Sequence, residues 1–214
     1  MKKYILMDSE YCSMGRWISV IVGNKLNMKL YEGKDLVALC DEKWLTEKYL
    51  QEFDEKIADM TLKEVKENTE IQKVHQALSK AILKAVALGP CIIHERAAAD
   101  VLKNQADCLK VLLYNTSMEH RIPRAYGDGT YDLKNKTPEQ VIAFINREDH
   151  KRKVYRDAVS VDLWGEKESY DLCLDSDILS REKCAEIIIE ASKDCRLDLQ
   201  ECSKIIEEAF SLKK

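Results

Sequence analysis

The chain has 214 residues, of which 45% are hydrophobic and 34% are charged, and its formal net charge is −4 at pH 7. This length suffices for one compact domain with a sizeable core. The negative charge disfavours nucleic-acid binding driven by overall charge, and no apolar run reaches the roughly 18 residues of a membrane span. The apolar stretch near the N-terminus is too short for a signal peptide. We therefore expect a cytoplasmic protein that binds neither a membrane nor a nucleic acid.

Eight cysteines are spread along the chain, and none of them forms a CxxC pair. They lie mostly in apolar segments, so we expect reduced, buried thiols that act as small hydrophobic side chains. A zinc site needs clustered cysteine and histidine, and the sequence has no such cluster. We expect no dedicated metal site.

The pattern of hydrophobic residues predicts strands and helices in alternation. The predicted strands are Tyr4–Met7, Cys91–Ile93, Leu109–Tyr114 and Tyr170–Leu174. The predicted helices are Gly15–Leu26, Lys34–Cys40, Glu42–Phe53, Leu62–Leu88, Ala97–Asn104, one that begins at Ser117, Pro138–Tyr155, Ser180–Ser192 and Leu197–Phe210. This alternation indicates an α/β fold whose parallel sheet is covered by helices on both faces. No linker or repeat divides the chain, so residues 1–214 are expected to form a single domain.

The first strand and the first helix are joined through the stretch MDSEYCSMGRW. A phosphate-binding loop at such a junction uses backbone N–H groups at the start of the helix, and glycine lets that backbone turn sharply. Gly15 offers one such position, Ser13 a hydroxyl and Arg16 a positive charge. Cys12 and Met14 occupy positions that favour glycine, and a positive φ at Met14 would be strained. The stretch alone leaves open whether it binds phosphate or is a plain connection.

A second cluster, INREDHKRKVYRD, covers residues 145–157 and is rich in basic side chains. On a helix, Arg152 and Arg156 share a face, and Arg147 and Lys151 form a neighbouring pair. The acids of the segment only partly balance this charge. Arginines next to a glycine-bearing mobile loop suit a lid that closes over a polyphosphate, where they stabilise the transferring group. A solvated charged face is the alternative.

Arginines also follow two of the predicted strands. Arg96 stands just past Cys91–Ile93, and Arg121 and Arg124 lie early in the helix after Leu109–Tyr114. Parallel sheets bind ligands at the carboxyl ends of their strands, so these arginines indicate one anion site. A structural ion pair is the alternative for each of them.

The order of these motifs resembles the cytidylate kinase-like branch of the nucleoside monophosphate kinases, which have the P-loop fold. The family's opening pattern S-R-E-Y-G-S-G-G-R is similar to DSEYCSMGR at residues 8–16. Its strand ending I-I-V-G-R is similar to IIHER at residues 92–96, with Glu95 in place of glycine, and its E-x-R-I is similar to EHRI at residues 119–122.

The second half of the chain continues the resemblance. The family's lid pattern D-x-x-R-x-x-Y is similar to Asp149, Arg152 and Tyr155, and the tryptophan and Y-D-L that follow it are similar to Trp164 and residues 170–172. The resemblance runs nearly end to end and preserves the order of the motifs.

This resemblance implies a five-stranded parallel sheet between helices, with a helical NMP-binding insertion at residues 30–88 and a lid at residues 125–160. It implies transfer of the γ-phosphoryl group of ATP, together with Mg²⁺, to a nucleotide substrate such as CMP or dCMP. The implied site has three parts: ATP-binding residues Ser13, Met14, Gly15, Arg16 and Trp17; catalytic residues Arg16, Arg147, Arg152 and Arg156; and acceptor-binding residues Asp35, Arg96 and Arg121.

Three positions depart from the family pattern. Cys12 and Met14 replace loop glycines, and Glu95 puts a negative charge beside the expected phosphate site. The departures leave three functions open: a nucleotide kinase, a non-catalytic nucleotide- or anion-binding relative with a degenerate loop, and a protein-interaction domain. The oligomeric state is open as well.

Overall fold

A computed structural model of the chain describes residues 1–193 and 199–211. Its centre is a five-stranded parallel sheet with the strand order β2-β3-β1-β4-β5. The strands are β1 (Tyr4–Ser9), β2 (Lys29–Tyr31), β3 (Cys91–His94), β4 (Cys108–Tyr114) and β5 (Leu172–Asp175). In the centre of the sheet, Ile5 lies opposite Ile92 on one side and Leu109 on the other. The predicted α/β architecture is confirmed.

Ten helices connect or flank the strands of the described residues. They are α1 (Gly15–Leu26), α2 (Gly33–Leu39), α3 (Glu47–Ile57), α4 (Leu62–Glu67), α5 (Thr69–Ala87), α6 (Ala98–Val101), α7 (Met118–Gly127), α8 (Pro138–Val159), α9 (Arg181–Ser192) and α10 (Leu199–Ser211). Helices α2–α5 form the segment between β2 and β3, where the family resemblance implies the helical insertion. None of the helices in this part of the chain is long and apolar enough to cross a membrane.

The side chains of β1 alternate between two hydrophobic clusters, as a strand buried on both faces requires. Ile5 belongs to a cluster with Ile18 of α1 and Ile188 of α9. Leu6 belongs to the opposite cluster, with Ile82 of α5. Helices therefore cover both faces, and the carboxyl ends of the strands remain as the edge where side chains meet.

Three predicted elements are corrected by the structure. The helix predicted at Glu42–Phe53 begins only at Glu47, because the Thr46 hydroxyl accepts a hydrogen bond from the N–H of Tyr49 and caps it there. The helix predicted at Leu62–Leu88 is two helices, since Asn68 ends α4 and its side chain caps α5.

The third correction concerns Ala97–Asn104, where only the four residues of α6 are helical. Strand β2 is not predicted from the sequence at all, because three residues are too short to show a period. The helix predicted at Leu197–Phe210 has its first two residues outside the described ones, and α10 accounts for the rest.

Candidate functional site

The loop between β1 and α1 has the backbone turns of a glycine-rich loop without the glycines. Cys12 has φ 64° and Met14 has φ 66°, both left-handed. Gly15 begins α1, and a Cβ atom there would lie 2.4 Å from the Cβ of Ser9. Glycine is therefore required at position 15 for close packing, whereas cysteine and methionine occupy the positions where the backbone is strained.

Each of these two side chains is anchored in a hydrophobic cluster. Cys12 packs against the cluster that joins Tyr11 to Val141 of α8, and burial raises the pKa of its thiol to about 11. Met14 packs against the cluster that contains Ile18 of α1. Burial of these side chains offsets part of the cost of their left-handed backbone.

Two arginines of α7 hold the loop from behind. Arg121 is buried, and its Nε and Nη2 donate to the carbonyl of Tyr11 at 2.9 and 2.6 Å. Its Nη2 also donates to Asp149 at 2.5 Å. Arg124 donates to the carbonyl of Cys12 at 3.1 Å. Arg121, for which the resemblance implies a role at the acceptor, thus lies under the loop backbone.

The polar groups of the loop differ in their availability to a ligand. The Ser13 hydroxyl is buried and donates to the carbonyl of Glu10 at 2.8 Å. Arg16 is 63% exposed and contacts Glu32 at 2.9 Å, and Trp17 is exposed. Within residues 1–193, the N–H groups of residues 15–17 have no hydrogen-bond acceptor, as expected in the first turn of a helix.

A cavity of about 610 Å³ opens beside this loop at the carboxyl ends of β1 and β3. Helices α3 and α8 line its other sides. Its charged residues are the acids Asp8, Asp54, Glu55, Glu95 and Glu148 and the bases Arg96, Lys151, Arg152 and Arg156. Aromatic rings of Tyr131, Phe144, Tyr155 and Trp164 complete it. Most of the predicted site residues thus fall into a loop group (residues 13–17) and a cavity group (Arg96, Arg152 and Arg156).

Every base of the cavity already has a carboxylate partner. Arg96 donates two hydrogen bonds to Asp54, at 2.7 and 2.6 Å. Lys151 donates to Glu55 at 2.8 Å, Arg152 Nε donates to Glu95 at 2.8 Å, and Arg156 pairs with Asp8. Acids from other elements therefore balance the excess of basic side chains in residues 145–157.

Two predicted site residues lie elsewhere. Arg147 of α8 donates to Glu55 and to Asp59, at 2.7 and 3.1 Å, and so fastens α8 to α3 and the segment after it. The Asp35 carboxylate accepts a hydrogen bond from the N–H of Glu32 at 3.0 Å and caps α2. Neither residue lines the cavity, and their implied roles stay predictions.

The pair of Asp8 and Arg156 is the most buried charged contact of the cavity. Burial raises the pKa of Asp8, although Arg156 and the hydroxyl of Tyr170, which donates to it at 2.8 Å, act in the opposite direction. Arg156 Nη2 is buried and has no hydrogen-bond partner among the described residues. Buried donors are normally paired, so this atom is an unsatisfied donor in the wall of the cavity.

The turn after β3 has three consecutive left-handed residues. Glu95, Arg96 and Ala97 have φ values of 69°, 63° and 55°, although residues other than glycine adopt this conformation rarely and singly. The turn directs Glu95 and Arg96 to the cavity. Burial alone would raise the pKa of Glu95, but Arg152, with His94 and Arg96, lowers it to about 2.

A chain of polar contacts connects the loop to α8. Arg16 contacts Glu32, whose carboxylate lies 4.0 Å from His94 Nδ1. His94 Nε2 lies 3.0 Å from the hydroxyl of Ser9, which donates to Glu95 at 3.5 Å. Glu95 in turn accepts from Arg152. The two groups of predicted residues are thus linked through side chains that the sequence reasoning did not select.

The missed residues are mainly acids and residues at strand ends: Asp8, Ser9, Glu32, Asp54, Glu55, His94 and Glu148. The position of Asp8, Ser9 and His94 at the ends of buried strands is a signal that could have found them. No pattern in the sequence singles out Asp54 or Glu55, because they lie on an ordinary amphipathic helix.

A model of the cytidylate kinase-like family matches residues 4–178. The chain belongs to this family. The comparison with curated proteins gave no match. The family assignment therefore rests on the match over most of the chain, and it agrees with the motifs at residues 8–16 and 149–155.

Solved structures support the fold of this cytidylate kinase-like chain. An uncharacterized protein from Eubacterium ventriosum is 16% identical, with a TM-score of 0.65 over 89% of this chain and 98% of that one. A shikimate kinase from Acinetobacter baumannii in complex with shikimate is 12% identical, with a TM-score of 0.50 over 91% of this chain and 95% of that one. At these identities the likeness shows a kinase-like fold and no more.

Proposed function

We propose that this chain transfers the γ-phosphoryl group of ATP to a nucleoside monophosphate bound in the cavity, and that CMP or dCMP is the acceptor. The observation that carries the proposal is the cavity beside the loop, where arginines of α8 and of the turn after β3 meet. Arg156 lines the cavity, and its buried Nη2 has no hydrogen-bond partner among the described residues. In a member of the cytidylate kinase-like family, such a cavity suits an anionic acceptor.

The loop fits the phosphates of ATP in part. The N–H groups at residues 15–17 and the positive end of the α1 dipole would bind phosphate oxygens. Arg16 is exposed beside them and would add a positive charge. Bound with the nucleotide, Mg²⁺ would neutralise charge on the phosphates. Ser13 is unsuited to hold the ion because it is fully buried.

Positioning and charge stabilisation would carry most of the reaction. Arg152 and Arg156 reach the cavity from one face of α8 and would stabilise negative charge on the transferring oxygens. Arg96, held by Asp54 at 2.7 and 2.6 Å, would orient the acceptor. The aromatic rings of the cavity offer apolar surface to the base and ribose of the acceptor.

The test is ADP formation from ATP and Mg²⁺ with CMP, dCMP, UMP, AMP and GMP as acceptors. Turnover is expected with a pyrimidine monophosphate, and Arg152→Ala is expected to lower it at least about tenfold, on the scale of arginines that stabilise phosphoryl transfer. Arg181→Ala, an exposed arginine at the start of α9, is the matched control. No turnover with any acceptor, from folded protein, would contradict the proposal.

A second candidate is a non-catalytic relative that binds a nucleotide or another anion. The observation that favours it is the pairing of every cavity base with a carboxylate, together with the burial of Ser13. Such a protein would bind CMP or ATP in a calorimetric titration but form no ADP. Multiple turnovers would exclude it.

A further inference from the structure

Glu95 stands out because the family pattern has glycine at its position and its backbone is left-handed. Its N–H donates to the carbonyl of Met7 at 2.7 Å, which fixes the start of the turn against the end of β1. A glycine would adopt φ 69° without strain. The left-handed backbone at this position therefore carries a carboxylate that glycine would lack.

One oxygen of Glu95 is surrounded by groups that also bind phosphate. Oε1 accepts from Arg152 Nε at 2.8 Å and from the Ser9 hydroxyl at 3.5 Å. His94 Nε2 lies 3.9 Å from the same oxygen. Arginine makes similar charge-assisted hydrogen bonds to carboxylates and to phosphates. The carboxylate therefore occupies a small anion position at the edge of the cavity.

Arg152 is otherwise held in place for a ligand in the cavity. Its Nη1 donates to the carbonyl of Glu148 at 2.8 Å and lies 3.6 Å from the Glu148 carboxylate, and its guanidinium lies over the ring of Tyr11, 5.8 Å from the centroid. These contacts keep the side chain beside the cavity whether or not Glu95 is paired with it. An external anion reaches Arg152 Nε only by displacing Glu95, and it meets the repulsion of that carboxylate at any neighbouring position.

We propose that Glu95 is a specificity-determining residue that holds the anion position at Arg152 and thereby weakens the binding of dianionic groups in the cavity. This role rests on the proposed function, because the anion position at Arg152 belongs to the proposed acceptor site. As a consequence, the affinity for the acceptor depends on the negative charge of Glu95 beside Arg152. Removal of this charge should let the cavity bind phosphate more tightly. The effect is expected on the KM of a nucleotide acceptor more than on kcat.

The test measures binding of inorganic phosphate and of CMP by calorimetric titration, without ATP. Glu95→Gln is expected to tighten both at least about tenfold, because a like charge beside a bound anion is strongly unfavourable. Glu95→Gly is a second variant that also relieves the left-handed backbone, and it is expected to tighten both ligands as well. The double variant Glu95→Gln with Arg152→Gln is expected to lose the gain.

The matched control is Glu55→Gln. Glu55 also lines the cavity, but it pairs with Lys151 and Arg147 and not with Arg152. An equal gain in Glu55→Gln would overturn the inference, since overall charge would then explain the effect. Unchanged affinity in both variants at position 95, or no binding by any variant, would overturn it too.

The two proposals fail in different ways. Tighter phosphate binding in the variants at position 95, with no ADP formed by the natural protein, would support the role of Glu95 and contradict the kinase. ADP formation by the natural protein, with unchanged affinity and KM in those variants, would support the kinase and contradict the role of Glu95.

Discussion

Two turns at the carboxyl edge of the sheet place residues other than glycine in the left-handed region, and they use the side chains in opposite ways. In the loop before α1, Cys12 and Met14 point into hydrophobic clusters. In the turn after β3, Glu95 and Arg96 enter ion pairs at the cavity. The same backbone strain therefore supports an apolar anchor in one turn and a charged site in the other.

The two regions also differ in how accessible their charged side chains are to a ligand. The cavity arginines are buried or half-buried and paired, whereas Arg16 of the loop is 63% exposed. A buried pair is costly to break, because the remaining partner keeps an uncompensated charge. An exposed pair contributes little to stability. Variants at the two regions should consequently differ in stability as well as in activity.

The largest expected effect is at the buried pair of the cavity. Arg156→Gln should lower the free energy of unfolding by about 3–5 kcal/mol, because the Asp8 carboxylate then loses its charged partner in a buried setting. Urea unfolding at pH 7 measures this loss. Arg147→Gln, on the same helix but in more exposed pairs, should lose at most about 1 kcal/mol. Equal losses would show that the burial of an ion pair does not determine how much its arginine contributes to stability.

The second prediction concerns the pH dependence of the turn after β3. The pKa of Glu95 falls from 4.5 to about 2 on folding, a change that corresponds to about 3 kcal/mol. Because the folded value is the lower one, this stabilisation is complete above about pH 4.5 and is lost as the pH falls toward 2. The stability difference between the natural chain and Glu95→Gln should therefore shrink between pH 7 and pH 3.

Asp8 provides the control of opposite sign for that experiment. Burial raises its pKa, so its protonated form is favoured by folding, and its contribution is greatest at low pH and declines as the pH rises. The difference between the natural chain and Asp8→Asn should change with pH in the opposite direction. A parallel pH dependence for both variants would contradict the opposite pKa shifts of Glu95 and Asp8.

The third prediction returns to the loop. Gly15→Ala should destabilise the fold by about 1–3 kcal/mol, because the added Cβ meets the Ser9 side chain at 2.4 and 2.5 Å and must displace it. Thermal and urea unfolding measure the loss. Gly127→Ala, where an added Cβ meets nothing within 4 Å, is the control and should be close to neutral. A neutral Gly15→Ala would mean that the loop moves freely against β1.

Four of the five strands could be predicted from the sequence, because buried strands such as β4 are nearly continuous apolar runs. The Arg–carboxylate pairs could not, because their partners are far apart along the chain: 42 positions separate Arg96 from Asp54, and 148 separate Arg156 from Asp8. The local sequence around Arg156 shows its charge, but only the fold supplies Asp8. The motifs therefore located the arginines but did not show which carboxylates pair with them.

The strained turns also escaped sequence reasoning for a physical reason. A positive φ at Met14 was expected to be unfavourable, yet the backbone adopts it. The stabilising contacts come from a hydrophobic cluster that forms only when α1 and α9 pack on the sheet. Local conformational preference sets the cost of a left-handed backbone at a residue other than glycine. Tertiary packing decides whether the residue adopts it.

The smallest expected effect on stability tests whether the loop keeps a charge for a ligand. Arg16→Gln should change the free energy of unfolding by less than about 1 kcal/mol, since its contact with Glu32 is exposed. If the loop binds ATP, the same variant should lower ADP formation at least about tenfold. Lys34→Gln, an exposed basic residue near Glu32, is the control for overall charge. Unchanged stability and unchanged turnover in Arg16→Gln would mean that the loop binds phosphate through the N–H groups of α1 and not through Arg16. The charged side chains that act in the reaction would then be those of the cavity.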